Sequence, residues 1–234
     1  SQLSPYLALG IITVRQCLAA MESALGQLPF DRGVAGFVWL NELIWREFYQ
    51  HLLVAFPHLS KHKAFKADTE HVRWLWDEMR FKAWCEGNTG YPIVDAAMRC
   101  LNQTGWMHNR LRMIVASFLT KDLHIDWRHG ERYFMQQLID GELAANNGGW
   151  QWAASTGADA APYFRIFNPT TQGQKFDEKG MFIKRWLPEL ALVPEKYIHT
   201  PHDWLKIFDP SSTYPQPIVD HAQAREVTLA LFKK

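Results

Sequence analysis

The residues best suited to chemistry are concentrated in one stretch, residues 138–157, which reads LIDGELAANNGGWQWAASTG. Carboxylates stand at Asp140 and Glu142, and adjacent amides follow at Asn146 and Asn147. Carboxylates and amides can hydrogen-bond a polar ligand, and the two tryptophans behind them add large flat surfaces. Two interpretations stay open at this point. The stretch is either a packed helix junction anchored by tryptophans or the floor of a pocket for a flat polar ring system.

A second set of candidates recurs at three- and four-residue steps and therefore shares one face of a helix: Trp39, Glu42, Trp45 and Arg46. One interpretation is an ion pair between Glu42 and Arg46, worth about 0.3–0.5 kcal/mol, beside two core tryptophans. The other is that these four side chains line one face of a functional site.

A third set lies on a helix expected to open near His108. Asn109, Arg112 and Met113 share one face of that helix, whereas Arg110 points about 100° away from Asn109. A single helix could therefore serve a cofactor and a phosphodiester backbone, although a basic, solvated helix end would have the same pattern. His108 is typical of a structural hydrogen-bonding residue, and we assign it no role.

The elements that must position these residues are helices. A capping box at Thr13 and Gln16 opens a helix toward Leu25, with Gly26 as its stop signal. Apolar periodicity and proline positions predict further helices over residues 34–55, 93–101, 108–123, 127–138 and 143–146. No stretch has the alternation of a convincing strand, so the predicted fold class is all-α, in one domain over residues 1–234.

The pair Gly148–Gly149 stands where the last of these helices is expected to end. Glycine within a helix costs roughly 1 kcal/mol relative to alanine, so the pair favours a turn or a close backbone approach.

Composition narrows the class of protein further. A chain of 234 residues that is 47% apolar can bury about 70% of its unfolded surface in one core. The net charge of +1 neither demands nor excludes a nucleic-acid partner, so any DNA contact must come from a local patch. Cys17, Cys85 and Cys100 lack paired spacing, which argues against disulfides and a zinc site and favours a cytoplasmic, reducing compartment. No signal peptide or membrane-spanning apolar run is seen.

Five stretches resemble the DNA photolyase and cryptochrome family, in the same order. They are SQLSPYLALG from Ser1, WLNELIWREFY from Trp39, GNTGYPIVDAAMR from Gly87, TGWMHNRLRM from Thr104 and the stretch 138–157. The likeness covers nearly the whole chain and is greatest to class I photolyases, which repair cyclobutane pyrimidine dimers. It implies a multi-helical domain that binds FAD, here without the N-terminal α/β antenna domain of the family.

The resemblance assigns a set of residues to the flavin: Ser1, Leu3, Ser4, Trp39, Glu42, Asn109, Arg112, Asp140, Glu142 and Asn146. Arg112 is expected to pair with Asp140, and Asn146 to lie beside the redox-active nitrogen of the ring, where a neutral amide would not repel a reduced, anionic flavin. Many relatives read Asp-Gly-Asp where this chain reads Asp-Gly-Glu, so the contact expected of Glu142 is through its backbone. Ser1, Leu3 and Ser4 match a phosphate-binding loop.

A second set is assigned to DNA: Trp45, Arg46, Asn109, Arg110, Met113, Trp152 and Arg165. Trp150, Trp127 and Trp74 match a chain of tryptophans that carries electrons between the flavin and the surface, and Glu42 faces the site. With 11 tryptophans in the chain, three ordinary core residues are the alternative.

The function implied is light-driven repair, in which an electron from reduced FAD splits a pyrimidine dimer flipped into the pocket. The partner is damaged DNA, and a monomer without metal or membrane is expected. Trp45 and Met113 favour this activity over the main alternative, a cryptochrome photoreceptor that signals through protein partners. A six-four photolyase is disfavoured because Trp106 and Met107 stand where a histidine pair is expected. A helical scaffold that has lost its cofactor is the remaining interpretation.

Overall fold

The computed structural model describes residues 2–233, so the role expected of Ser1 lies outside the described residues. Its α-helices are α1 (Ser4–Ala8), α2 (Val14–Leu25), α3 (Phe37–Ala55), α4 (Glu78–Glu86), α5 (Pro92–Thr104), α6 (Asn109–Ser117), α7 (Trp127–Gln137), α8 (Leu143–Ala153), α9 (Pro169–Phe176), α10 (Met181–Trp186), α11 (His202–Phe208) and α12 (His221–Leu231). Within residues 2–233 strand-like pairing is limited to one isolated bridge between Leu75 and Ile125. The all-α prediction is confirmed.

Local signals place the ends of the first long helices. Thr13 Oγ1 accepts the Gln16 backbone N–H at 3.2 Å, and Gln16 Oε1 accepts the Thr13 backbone N–H at 2.9 Å, which is the predicted capping box of α2. Gly26 ends α2 with φ of +77°. Helix α3 begins at Phe37 and not at Val34, because Gly36 stands before it with φ of +92°, a conformation that side chains disfavour.

Two predicted helix ends differ from the structure. The helix expected over residues 108–123 ends at Ser117 and continues as a single π-helical turn, Phe118–Asp122. The helix expected over 143–146 continues to Ala153 as α8, so the glycine pair lies inside a helix and its interpretation as a turn is wrong. Propensity favoured a break there, and tertiary packing overrides it.

Helix α5 is the centre of the core. Val94, Ala96 and Ala97 are fully buried, and α4, α6, α9 and α10 pack around the helix. Asp95 is also fully buried, yet its carboxylate accepts hydrogen bonds from the Thr89 N–H, the Gly90 N–H and the Tyr214 hydroxyl at 2.7–3.0 Å. Burial nevertheless raises the pKa of Asp95 to about 6. The carboxylate joins the turn before α5 to the C-terminal part of the chain.

Helix α12 packs on the π-helical turn over a buried cation. Lys121 is fully buried, and its Nζ donates to Ser155 Oγ at 2.6 Å and to the Tyr163 carbonyl at 3.3 Å. The ammonium also lies 4.5 Å from the centre of the Phe232 ring. Among residues 2–233 it has no carboxylate partner, and burial lowers the pKa of Lys121 to about 7. Next to it, Asp122 contacts His221 at 2.5 Å, which fastens the start of α12.

We expect Lys121→Met to reveal this cation through the pH dependence of stability. Below pH 7 the ammonium is charged in the folded and the unfolded chain, and the full burial penalty applies. Between pH 7 and about 10 the unfolded chain alone binds the proton, so the parent protein gains stability as the pH rises. The free energy of unfolding of the parent minus that of Lys121→Met should rise between pH 7.5 and 9.5 by up to about 1.4 kcal/mol per pH unit. Denaturant titrations measure it, and a difference that does not change with pH would contradict the assignment.

Candidate cofactor and nucleic-acid site

An ion pair joins α6 to the turn before α8. Arg112 Nη2 donates to Asp140 Oδ2 at 2.7 Å and to Oδ1 at 3.0 Å, and its Nε donates to the Met107 carbonyl at 2.8 Å. The Asp140 side chain is 1% exposed and that of Arg112 27% exposed, so the carboxylate is covered while the guanidinium reaches the surface of the site. The predicted pair is therefore present, and it fixes the cation of α6 against the segment that leads into α8.

The start of α8 is built by two polar side chains. Glu142 caps the helix, its two carboxylate oxygens accepting the Ala144 and Ala145 N–H groups at 3.1 Å each. The Glu142 side chain is thus used within the protein, and a ligand contact through its backbone stays a prediction. Asn146 donates from Nδ2 to the Glu131 carbonyl at 2.9 Å, which fixes the plane of its amide.

The N-terminal loop contacts the segment that precedes α6. Ser4 Oγ accepts a hydrogen bond from Trp106 Nε1 at 3.2 Å, and Leu3 is the residue before α1. The Ser4 hydroxyl keeps its own proton, which it could donate to a phosphate oxygen. Trp106 therefore ties the predicted phosphate loop to the α6 side of the site.

Glu42 of α3 lies near the start of α6. Burial raises the pKa of Glu42, and the charges of His108 and Arg110 partly offset the effect. The alternative ion pair with Arg46 is wrong: within the described residues Arg46 bonds Glu47 Oε1 at 3.0 Å. Arg46 and Glu47 are adjacent in α3, and their side chains are long enough to meet. His108 caps α6 by accepting the Arg110 N–H at 3.1 Å, the structural role that suits a lone histidine.

The residues assigned to DNA are half-buried next to aromatic rings, or exposed. Trp45 contacts Phe48 edge-on at 5.3 Å, and Trp152 contacts Phe167 at 6.4 Å. The Arg110 guanidinium lies 4.6 Å from the centre of the Phe176 ring, which holds a cation near the surface. Met113 is half-buried and Arg165 is exposed. These positions leave each side chain accessible to a large ligand, and the DNA roles stay predictions.

The three tryptophans assigned to electron transfer differ in burial. Trp127 and Trp150 are buried at 0% and 2% exposure, whereas Trp74 is only partly buried. No ring contact within residues 2–233 joins the three to one another, so their use as a chain stays a prediction. Trp150 contacts the rings of Phe134 at 5.0 Å and Trp84 at 6.0 Å, and Trp84 was not among the residues predicted from the sequence. The sequence pattern that could have indicated Trp84 is the short helix between the cap residues Asp77 and Gly87.

The polar groups of the site fit a flavin. Among the described residues, Arg112 Nη1, Asn146 Oδ1 and the Asn109 side chain make no hydrogen bond to protein. A flavin ring presents carbonyl oxygens and ring nitrogens that accept hydrogen bonds and one N–H that donates, so a guanidinium and two amides match it. In residues 2–233 we find no group of three or more side chains arranged to hold a metal ion. No helix in the same range is long and apolar enough to cross a membrane.

Fold and site together define an all-helical domain with unfilled donors and acceptors for a flat cofactor. The sequence model of the FAD binding domain of DNA photolyase matches residues 39–234. The chain belongs to this family, which confirms the family and the FAD predicted from the sequence. The deoxyribodipyrimidine photo-lyase of Vibrio cholerae is 63% identical over all of this chain, which covers 49% of that relative.

Two solved structures share the fold. A class III photolyase from Agrobacterium tumefaciens matches with a TM-score of 0.89 at 48% identity, covering 99% of this chain and 48% of the other. A cryptochrome of Synechocystis matches with a TM-score of 0.83 at 35% identity, covering 98% and 48%. The chain spans about half the length of the curated relatives it matches.

We expect Asp140→Asn to weaken FAD binding at least tenfold, because a hydrogen bond to a charged group contributes about 1.5–3 kcal/mol and Arg112 would lose its orientation. The matched control is Glu189→Gln, since Glu189 also bonds an arginine, Arg99, at 2.7 Å, but on the α5 and α10 side of the core. Fluorescence titration with FAD measures both variants. Equal loss in both would mean that Asp140 serves stability alone.

Proposed function

We propose that residues 1–234 form the FAD-binding and DNA-repair domain of a photolyase, which repairs cyclobutane pyrimidine dimers with light. The observation that carries the proposal is the Arg112–Asp140 pair, which fixes a cation on α6, the helix that also carries the unfilled amide of Asn109. The 63% identity to a relative named deoxyribodipyrimidine photo-lyase, against 35% to the cryptochrome, favours repair over signalling. Its partner is DNA that contains a dimer, bound by a monomer in the cytoplasm, and no step uses a metal ion.

When bound and reduced, FAD supplies a donor that releases an electron on absorbing blue light. The protein's own side chains would orient the cofactor. Arg112 would donate a hydrogen bond to the ring, and Asp140 keeps the guanidinium in place. Asn146 offers a neutral amide, held by the Glu131 carbonyl, which adds no negative charge beside a reduced ring. The Ser4 hydroxyl would donate a hydrogen bond to a phosphate of the cofactor.

The other residues prepare the substrate. Trp45 and Trp152 stack on the extruded dimer, and Arg110 and Arg165 contact phosphates. Burial raises the pKa of Glu42, and its carboxyl group is the one that we place beside the pyrimidines of the dimer. A dimer stacks and pairs poorly, which lowers the cost of extruding it and supports selectivity for damage.

The tryptophans restore the reduced state of the cofactor. The indole N–H groups of Trp127 and Trp150 are buried and, among residues 2–233, have no hydrogen-bond acceptor. An oxidised indole there has no group to take its proton, so the positive charge can move on toward Trp74, which is partly exposed. In this proposal Trp74, the last of the three tryptophans, is the one that solvent reaches.

The test of function is repair by flavin-loaded, reduced protein under blue light, with a dark control. Trp45→Ala should weaken binding of dimer-containing duplex by roughly 1–3 kcal/mol and change binding of undamaged duplex little, because one stacking contact is lost. Arg110→Ala should weaken both about equally and lower the salt slope by about 1, because a phosphate contact is not specific to damage.

Titrations of both duplexes at two salt concentrations distinguish these outcomes. Equal weakening of both duplexes by Trp45→Ala would make Trp45 a structural residue. No preference for damaged DNA in the parent protein, together with no loss of dimers in the light, would favour the cryptochrome alternative.

We expect Trp150→Phe to slow photoreduction of oxidised flavin and to leave repair by flavin already reduced unchanged, because the tryptophans feed the cofactor and take no part in ring splitting. Transient absorption measures the first and a single-turnover repair assay the second. Trp84→Phe is the comparison, since Trp84 contacts Trp150 but lies outside the predicted chain. An unchanged photoreduction rate in Trp150→Phe would contradict the assignment.

A further inference from the structure

In the glycine pair of α8, Gly148 leaves the space that the Tyr49 ring occupies. A Cβ atom on Gly148 would lie 2.1 Å from Cδ1 and 2.3 Å from Cε1 of Tyr49, in α3. Both separations are far below van der Waals contact, so the Tyr49 ring occupies the place of a side chain at position 148. The glycine is needed because a ring from α3 rests directly on the backbone of α8.

The same ring also contacts Trp45. Trp45 and Tyr49 are four residues apart on one face of α3, with ring centres 5.9 Å apart and planes inclined by 31°. Tyr49 therefore contacts both the backbone of α8 and the indole of Trp45. The neighbouring cavity, lined by Leu52, Leu59 and Gly148 among others, has about 20 Å³, room for about one water molecule and not for a displaced phenol ring.

The phenol group of Tyr49 stays uncharged throughout the neutral range. Burial, aided by the charges of Asp159 and Glu42, raises the pKa of Tyr49 to about 12. The ring acts by its shape, and its position follows from the backbone of α8.

We propose that Tyr49 is a positioning residue that fixes the orientation of Trp45 for stacking on an extruded base, and that Gly148 is required for Tyr49 to do so. A partly exposed tryptophan with free rotamers loses side-chain entropy when a ligand stacks on it. Tyr49 removes part of that cost beforehand by restricting the indole. The inference rests on the proposed function. It makes selectivity for damaged DNA depend on the contact between Tyr49 and Gly148, which acts on the DNA through Trp45.

The first experiment compares neighbouring glycines in flavin-free protein labelled with 5-fluorotryptophan, the Trp45 resonance being assigned with Trp45→Phe. Gly148→Ala should shift or broaden the Trp45 resonance, because the new methyl group displaces Tyr49. Gly149→Ala should leave it in place, since among the described residues nothing lies within 4 Å of a Cβ there. Both changes add the same methyl group to the same helix, so helix propensity is matched. An unchanged Trp45 resonance in Gly148→Ala would overturn the inference.

The second experiment measures binding of dimer-containing and undamaged duplexes by variants whose flavin content is checked by absorbance. Gly148→Ala should lower the preference for damage about 2- to 10-fold and leave binding of undamaged duplex unchanged. Tyr49→Leu should have the same effect, whereas Tyr49→Phe, which keeps the ring, should retain the parental preference. Should Gly148→Ala fail to fold, the Tyr49 pair decides the question alone.

Double variants separate positioning from general damage to the fold. Adding Gly148→Ala to Tyr49→Ala, or to Trp45→Ala, should cause no further loss of preference, because the contact or its target is already gone. A further loss in the Trp45→Ala background would overturn the inference. A parent protein without any preference for dimers would reject the proposed function, and the fluorine resonance would still decide whether Tyr49 positions Trp45.

Discussion

Helix α8 packs so closely on its neighbours that rings touch backbone on two sides. Tyr49 of α3 occupies the side-chain position of Gly148, and the Trp150 ring of α8 occupies that of Gly130 in α7, where a Cβ would lie 2.1 Å from Cη2. Such contacts leave little freedom for one helix to slide on another, because interiors pack as tightly as organic crystals. The site residues carried by α3, α7 and α8 are therefore fixed relative to one another by shape.

Buried charged groups also fix the positions of these helices. The Asp140 carboxylate, in the turn between α7 and α8, is almost fully covered, and Arg112 of α6 pairs with it. Removing one partner from a buried pair is costly because the other charge is left uncompensated. Lys121 shows the opposite solution, a buried cation without a carboxylate among residues 2–233, whose pKa falls until it loses its charge readily. The carboxylate of the site is thus neutralised by a paired arginine, whereas the lysine under α12 is unpaired among residues 2–233 and can lose its proton.

Much of the fold follows from local signals. The capping box of α2, the stop at Gly26 and the all-α class could be predicted because each depends on residues close in sequence. The course of α8 could not, because glycine propensity favours a break and the compensating contact comes from Tyr49, 99 positions earlier. The partner of Arg46 was missed for a different reason: helix spacing favours Glu42, four residues away, whereas the structure pairs Arg46 with its direct neighbour Glu47. Trp84 was missed because its short helix lacks strong periodicity.

The placement of the candidate residues explains why one short helix can serve two ligands. Asn146 lies in the first turn of α8, and the Glu131 carbonyl of α7 accepts a hydrogen bond from its amide, which we assign to the cofactor together with Arg112 and Asp140. Gly148, half a turn later, receives the ring that supports Trp45 on α3. A displacement of α8 would therefore move the proposed cofactor contact and the proposed lesion contact together. In the proposed repair reaction, the distance between the electron donor and the electron acceptor governs the transfer, and a rigid helix that carries both contacts would keep that distance constant.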